Sequence, residues 1–448
     1  MSRFLSVVLA AALLVSASAG AQDTRIITFQ EAIRIALDQN STLKLAENAK
    51  TLGEVDVTAA RQQFLPDLQF DARGSQNYGR NFDSGEGRVV NQTTQNATFG
   101  LSSGVVLFNG FGNTATLKES KFNLDASSRD LQRSRETIAF TVATQYLVLI
   151  QQREQLQVQR ENLSSQAALE QQIQAYVDAS ARTIADLYQQ QASVASAKLA
   201  VVNGERSTQL AEVDLMQTLQ LDPRGTYEFE APAFGSLYPV TSELDLEHLQ
   251  VLAYDQRADL VAGKARVDAA SQAVRVARSG FWPSVTLSAG YDTAYTSVAD
   301  LPFWDQIDQR RGGAIGLGVT IPIFDRGSTA AAARRAEIQL QNAQIDLDSL
   351  QNDVGLQVRR AYLDLQAAHE QLAAAEAQQK SAELALTAAE DRYQAGASTL
   401  VELTQSRTTQ VDAASAVVTG RYNEMFQRAL IFYYVGALDP DRLAGEKK

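Results

Sequence analysis

The sequence has no cysteine, two histidines and eight prolines, and each shortage argues against a class of protein. Without cysteine, the chain can form neither a disulfide framework nor a thiolate metal site. With only His248 and His369 present, a histidine-based metal centre or proton relay is not expected. So few prolines and an aromatic content of 7% do not fit an enzyme with many shaped loops. We therefore expect no enzyme: no catalytic residues, no metal and no cofactor.

Long apolar segments are also missing once the N-terminus is set aside. Residues 1–21 have the features of a secretory signal peptide: Arg3, then an apolar run over 4–15, then a small-residue cleavage site. Beyond them no run of about 18 apolar residues occurs, so no transmembrane helix is predicted. The residue after the cleavage site is Gln22 rather than cysteine, which gives no sign of a lipid anchor. A net charge of −12 disfavours nucleic acid as a partner.

The sequence contains an internal repeat. Phe64-Leu65-Pro66 recurs as Phe281-Trp282-Pro283, and Leu221-Asp222-Pro223 recurs as Leu438-Asp439-Pro440, about 216 positions later. Because the offset stays nearly constant over this span, the mature chain is predicted to be a tandem duplication. We place the first repeat at 22–225 and the second at 226–448. Each has a helix, a β-hairpin and a long helical hairpin, and the second ends in a C-terminal tail.

Four segments alternate apolar and polar residues with period two: 67–79, 96–108, 285–296 and 314–323. This pattern over about 10 residues is typical of a membrane-crossing β-strand. The alternative is a soluble antiparallel sheet with one wet face. Aromatic residues near the strand ends favour the membrane interpretation, because interfacial aromatic girdles lie at such positions; they are Tyr78, Tyr291, Phe303 and Trp304.

Four strands cannot close a barrel, and an open sheet edge is not tolerated in lipid. Several copies of the chain must then share one barrel. Two copies give a filled eight-stranded barrel, three give twelve strands with room for a lumen, and four remain possible. The polar segments 81–92 and 298–311 are the predicted outward-facing loops.

Heptad spacing dominates the rest of each half. Val142, Leu149 and Leu156 are spaced by seven, and an alanine seam includes Ala361 and Ala368. These spacings predict left-handed coiled packing of closely approaching helices. The helix after position 113 would have roughly 60 residues and a length of about 90–100 Å. Breaks at 178–180 and 395–397 are the predicted tips of two helical hairpins.

The duplicated order of these motifs resembles the TolC family of outer-membrane factors. The motifs are Thr28-Phe29-Gln30-Glu31, Arg257-Ala258-Asp259-Leu260, Tyr393-Gln394-Ala395-Gly396 and Leu400-Val401-Glu402-Leu403. The resemblance implies an α+β fold of mainly long α-helices, a tandem-duplicated α-helical barrel with four membrane β-strands per chain. It further implies a trimeric twelve-stranded β-barrel, a periplasmic helical tunnel and an equatorial belt, here from 226–246 and the C-terminal tail.

The function that this resemblance implies is passive conduction of cargo. The chain would be the outer-membrane channel subunit of a tripartite efflux or type I secretion system in a Gram-negative-type bacterium. The chain would form a homotrimer. Its other partners would be a periplasmic adaptor, an inner-membrane pump and outer-membrane lipid. The competing hypotheses are a periplasmic adaptor and a structural coiled-coil spacer, and neither explains two β-hairpins each followed by a helical hairpin.

The resemblance also implies a periplasmic gate at the hairpin tips. Its candidate residues are Arg182, Asp186, Tyr393, Glu402 and Gln405. Threefold symmetry would bring three copies of Glu402 together, which favours cations and raises the pKa values of the carboxyl groups. Arg182 and Tyr393 would form locking pairs between neighbouring hairpins. The competing interpretation is that Asp186 and Glu402 merely cap helix starts, where acidic residues are favoured.

One position departs from the family pattern. Ser398 stands where some members carry an arginine in the second tip. The gate is therefore expected to be held more loosely there, or by other residues.

Overall fold

The computed structural model describes residues 25–83, 87–91, 93–230 and 245–445. The predicted signal peptide and most of the predicted belt segment lie outside these residues. The helices are α1 Phe29–Gln39, α2 Ser41–Gln62, α3 Gly112–Asp178, α4 Ile184–Leu219, α5 Leu246–Gln256, α6 Ala258–Ser279, α7 Phe303–Gln309, α8 Ser328–Gln394, α9 Leu400–Tyr434 and α10 Pro440–Leu443. The strands are β1 Arg25–Ile27, β2 Gln69–Asn77, β3 Arg80–Asp83, β4 Arg88–Asn91, β5 Thr94–Asn109, β6 Tyr227–Phe229, β7 Ser284–Thr296 and β8 Gly312–Thr320.

The first helical stretch is two helices rather than one. Thr28 caps α1 as predicted, its hydroxyl accepting from the Glu31 N–H at 3.2 Å. The chain then leaves the helical conformation at Asn40, whose side chain accepts from the N–H of Thr42 at 2.9 Å. Asn40 thus ends α1 and helps to start α2, because its amide oxygen satisfies an N–H with no intrahelical partner. In the second half the same break falls at Arg257, between α5 and α6.

The four predicted long strands are confirmed and form one antiparallel sheet in the order β2-β5-β7-β8. A bulge between Val106 and Phe108 shifts the register of β5 against β7 near the helical end of the strands, and such bulges increase local twist. Every residue of β2 and β8 is exposed in the single chain. Ile315 and Leu317 are 83% and 64% exposed, so the alternation leaves an apolar face uncovered.

The two predicted loops are more structured than the sequence suggested. The segment 81–92 includes most of a small hairpin in which β3 pairs with β4. The segment 298–311 contains α7, which is anchored by the fully buried side chain of Gln306. That amide accepts from the Thr296 N–H and donates to the carbonyls of Thr296 and Leu301. Phe303 packs edge-to-face against Phe99, and about a third of it stays exposed.

The long helices have the predicted helical hairpin boundaries. In α8 the alanine seam is buried from Ala361 to Ala389, so a neighbouring helix approaches the small side chains closely. Gly204 serves the same purpose in α4. A Cβ atom there would lie 2.2 Å from Gln159 Oε1 of α3. Within the described residues no helix combines the length and the apolar character that a bilayer-spanning helix needs.

The described chain forms two compact units, each drawn from both halves of the sequence. One unit comprises described residues of Met1–Lys44, Ser134–Asp255 and Gly355–Lys448, and the other comprises Leu45–Arg133 and Gln256–Val354. The main core lies in the first unit around Tyr146, whose hydroxyl donates to the Ile27 carbonyl at 2.8 Å. The C-terminal Leu443 packs into the same core.

Candidate functional site at the hairpin tips

Both helical hairpins turn by the same backbone geometry. Ser180 and Gly396 follow α3 and α8 with φ of 58° and 74°. The next N–H reaches back in each case, from Ala181 to the Tyr176 carbonyl at 2.7 Å and from Ala397 to the Arg392 carbonyl at 2.8 Å. This pattern closes a helix through one left-handed residue. The first tip uses serine where the second uses glycine, the residue with no steric penalty there.

Asp186 lies one turn after the first tip and belongs to a capping box. The Thr183 hydroxyl accepts from the Asp186 N–H at 3.2 Å, and the Asp186 carboxylate accepts from the Thr183 N–H at 3.3 Å. The two groups satisfy each other's backbone donors. The capping role considered for Asp186 is therefore present in the structure.

Glu402 is held differently at the second tip. Its backbone N–H donates to the hydroxyl of Thr399, the N-cap of α9. Its carboxylate forms an ion pair with Arg392 and accepts from the Ser398 hydroxyl at 2.7 Å. The carboxylate is thus tied to the end of α8 across the turn, although about half of it is exposed. Gln405, one turn later, is exposed.

The structure brings Arg182 and Tyr393 together, one from each hairpin of the same chain. The Arg182 guanidinium lies 4.6 Å from the centre of the Tyr393 ring and donates to the Tyr393 carbonyl at 3.3 Å. Tyr393 is 2% exposed, and its hydroxyl has no hydrogen-bond partner within the described chain. Burial raises the pKa of that hydroxyl, and the nearby Arg182 charge only partly opposes the shift.

Tyr393 is part of an apolar tip cluster that joins both hairpins. The buried members of this cluster are Leu169, Ile173, Leu187, Ala389, Tyr393, Leu400 and Leu403. They come from α3, α4, α8 and α9, so the tips share one small core. Separation of the two hairpins would expose this core to water.

Two arginines near the tips were missed by the sequence reasoning. Arg392 pairs with Glu402 only because the turn brings the end of α8 back beside the start of α9. Arg407 is buried, with its guanidinium 2.7 Å from Glu390. It follows Leu400 and Leu403 at core spacing along α9, and this spacing was the signal that marks it as buried. Within the described residues no group of three or more acidic or histidine side chains could hold a metal ion.

The sheet supplies a second functional feature, its unpaired edges. Within the described residues β2 pairs only with β5, and β8 pairs only with β7. Each outer edge therefore presents backbone N–H and C=O groups without a strand partner. Such edges are avoided in soluble proteins and excluded from lipid, so these strands need partners from outside the chain.

Comparisons with known proteins agree with this geometry. The family described as outer membrane efflux protein matches residues 32–219 and 249–429. The pyoverdine export outer membrane protein OpmQ of Pseudomonas putida is 25% identical over 82% of this chain and 77% of its own length. The outer membrane efflux protein BepC of Brucella suis is 23% identical over 71% of this chain and 65% of its own length.

Solved structures support the same fold. The outer membrane protein VceC of Vibrio cholerae superposes with a TM-score of 0.80 at 20% identity, over 91% of this chain and 96% of that chain. The CusC channel gives a TM-score of 0.80 at 18% identity, over 91% and 92% of the two chains.

Proposed function

The chain belongs to the outer membrane efflux protein family, and we propose that three copies form its working channel. It is an outer-membrane channel of an efflux system, and its helical part lies in the periplasm. The observation that supports a trimer is the open four-stranded sheet. All neighbouring strands are antiparallel, so β8 of one copy would run antiparallel to β2 of the next. Three copies would close twelve strands around a lumen and leave no edge in lipid.

The absence of native cysteine makes this arrangement directly testable. Arg73→Cys in β2 would be combined in turn with Ala314→Cys, Gly316→Cys or Gly318→Cys in β8 of the same chain. Oxidation in the outer membrane should link chains into a ladder that ends at three. A ladder ending at two or four would refute the trimer, and cross-links confined to single chains would refute the shared sheet.

We also propose that the channel is a passive duct rather than an enzyme. It would take cargo from an inner-membrane pump through a periplasmic adaptor, in a tripartite efflux or type I secretion system. We also propose that residues 1–21 are a signal peptide and that residues 22–225 and 226–448 are the two structural repeats. The two long helical hairpins support this role because they give an adaptor helices to pack against. A pull-down of adaptor helical hairpins by the tip segments would test it.

The tips would close the duct. Support comes from the paired Arg182 and Tyr393, the shared tip cluster and the Glu402 carboxylate. In a trimer three Glu402 side chains would surround the axis and favour cations. Single-channel recording in planar bilayers should show a small cation-selective conductance that rises or loses selectivity in Glu402→Ala. The matched control is Glu376→Ala, an exposed change on α8 away from the tip. Unchanged conductance in Glu402→Ala would remove Glu402 from the gate but keep the pore.

A further inference from the structure

A groove lies between α3, α8 and α9, above the tip cluster. Its volume is about 360 Å³, within the range of roughly 300–1,000 Å³ typical of small-molecule sites. Much of its wall is apolar, with Val158, Leu386, Val411 and Ala414 among the residues that line it. The remaining wall carries charged, hydroxyl and amide side chains, and two of their buried polar atoms lack partners within the described chain.

Arg407 lies at one end of this groove with 8% of its side chain exposed. One terminal nitrogen is 2.7 Å from Glu390, and the other donates to the Ser165 carbonyl at 3.3 Å. The charge of the guanidinium is therefore compensated. Its Nε–H group is buried without a partner within the described chain. A buried donor left unpaired costs about 1–3 kcal/mol, so this group favours a ligand that supplies an acceptor.

A hydrogen-bond acceptor is also left unpaired in the groove. The Asn162 side-chain oxygen is buried without a donor among the described residues. Glu161 and Glu383 line the groove as well. The Glu161 carboxylate accepts from the Gln157 amide at 2.7 Å, but neither glutamate forms an ion pair within the described chain. The other arginine of the wall, Arg421, already faces Glu154 at 3.5 Å. The uncompensated charge of the groove is therefore negative.

We propose that this groove binds a small organic ammonium that carries a hydrogen-bond acceptor beside an apolar body. The ammonium would donate to the Glu161 and Glu383 carboxylates and to the Asn162 oxygen. The acceptor would take the free Nε–H of Arg407, and the apolar body would lie against the Val411 and Ala414 wall. The two unpaired groups, the Arg407 Nε–H and the Asn162 oxygen, each gain a partner of the right kind. The bonds from the ammonium to the carboxylates are charge-assisted and therefore strong.

L-Phenylalaninamide is a suitable probe because it joins an ammonium, a carboxamide acceptor and an aromatic ring. We would titrate it into the detergent-purified, assembled protein and follow ligand signals by saturation-transfer NMR. Saturable binding is expected for the native chain. Glu383→Gln should weaken it about tenfold or more, because the ammonium loses a charged acceptor. Ala414→Leu should abolish binding by filling the groove.

Two controls separate this site from non-specific uptake. Glu376→Gln, an exposed change on the same helix outside the groove, should leave binding unchanged. N-acetyl-phenylalaninamide, which lacks the ammonium, should not bind. No saturable binding, or binding that ignores Glu383→Gln and Ala414→Leu, would overturn the proposal and leave ordered water as the partner of Arg407 and Asn162. The NMR measurement detects binding and does not depend on ion conduction. A failure of the proposed binding site can therefore be told apart from a failure of the proposed channel function.

Discussion

The contact between Arg182 and Tyr393 gives the sharpest test of the tip geometry, through the variant Arg182→Met. Methionine keeps an unbranched apolar side chain but removes the cation above the ring and the donor to the Tyr393 carbonyl. A partly buried cation–π contact contributes about 1 kcal/mol, and a 3.3 Å hydrogen bond contributes roughly 0.5–1 kcal/mol. The loss is about 1.5–2 kcal/mol per chain. This corresponds to roughly a 10- to 30-fold change in the ratio of separated to joined hairpins.

If the joined tips close the duct, as proposed above, single-channel recording measures that ratio as the ratio of open to closed time. We expect Arg182→Met to raise the ratio of open to closed time by about the stated factor for each contact. Arg206→Met, an exposed change on α4, the helix that follows the first tip, should leave it unchanged. Secondary structure should be intact in both, because neither residue belongs to the main core. An open probability equal to that of the native chain would show that the contact does not hold the hairpins together.

Tyr393→Phe separates the ring from its hydroxyl. Phenylalanine keeps the aromatic face below Arg182 and removes a buried hydroxyl that has no partner within the described chain. Loss of an unpaired buried polar group is neutral or stabilising, so this variant should not open the channel. Opening in Tyr393→Phe would mean that the hydroxyl has a partner in another copy of the chain.

Three further changes test the rest of the fold by chemical unfolding. Tyr146→Phe removes one of two donors to the Ile27 carbonyl, which keeps the Glu230 N–H, and should destabilise the chain by about 0.5–1.5 kcal/mol. Gly396→Ala places a side chain at a φ of 74° and should cost about 1 kcal/mol, whereas an equal stability would mean that the turn relaxes. Burial alone would raise the pKa of Asp259, but the hydrogen bonds and charge of Arg257 outweigh it and lower that pKa. The ionised carboxylate therefore stabilises the fold above about pH 4. The deficit of Asp259→Asn at pH 7 should shrink as the pH falls below that value, and a constant deficit would contradict the argument.

The sequence predicted the regular elements well because their patterns are local. A period of two marked all four long strands, and heptad spacing with an alanine seam marked the long helices. Breaks inside a helical pattern and a short helix inside a predicted loop were missed. At Asn40 and Arg257 the helices stop within an otherwise helical pattern, and helix α7 depends on one buried amide, that of Gln306.

The tip contacts were only partly predictable for a related reason. Pairing across two hairpins depends on which side chains the packed helices bring together. Arg182 and Tyr393 were expected to pair between hairpins, and the structure brings them together within one chain. Arg392 was not expected to hold Glu402, because the two are close only after the turn has formed.

The duplication relates Arg182 in the first tip to Ser398 in the second. Arg182 and Ser398 are separated by the repeat offset of 216 residues and so occupy matching positions. Each lies just before the threonine that caps the next helix, α4 or α9. Of these two matching positions only the first carries an arginine, and it reaches across to Tyr393 in the second hairpin. Ser398 instead supports Glu402 with a hydrogen bond. The two copies of this position therefore make different contacts: Arg182 joins the two hairpins, whereas Ser398 holds Glu402 within the second tip.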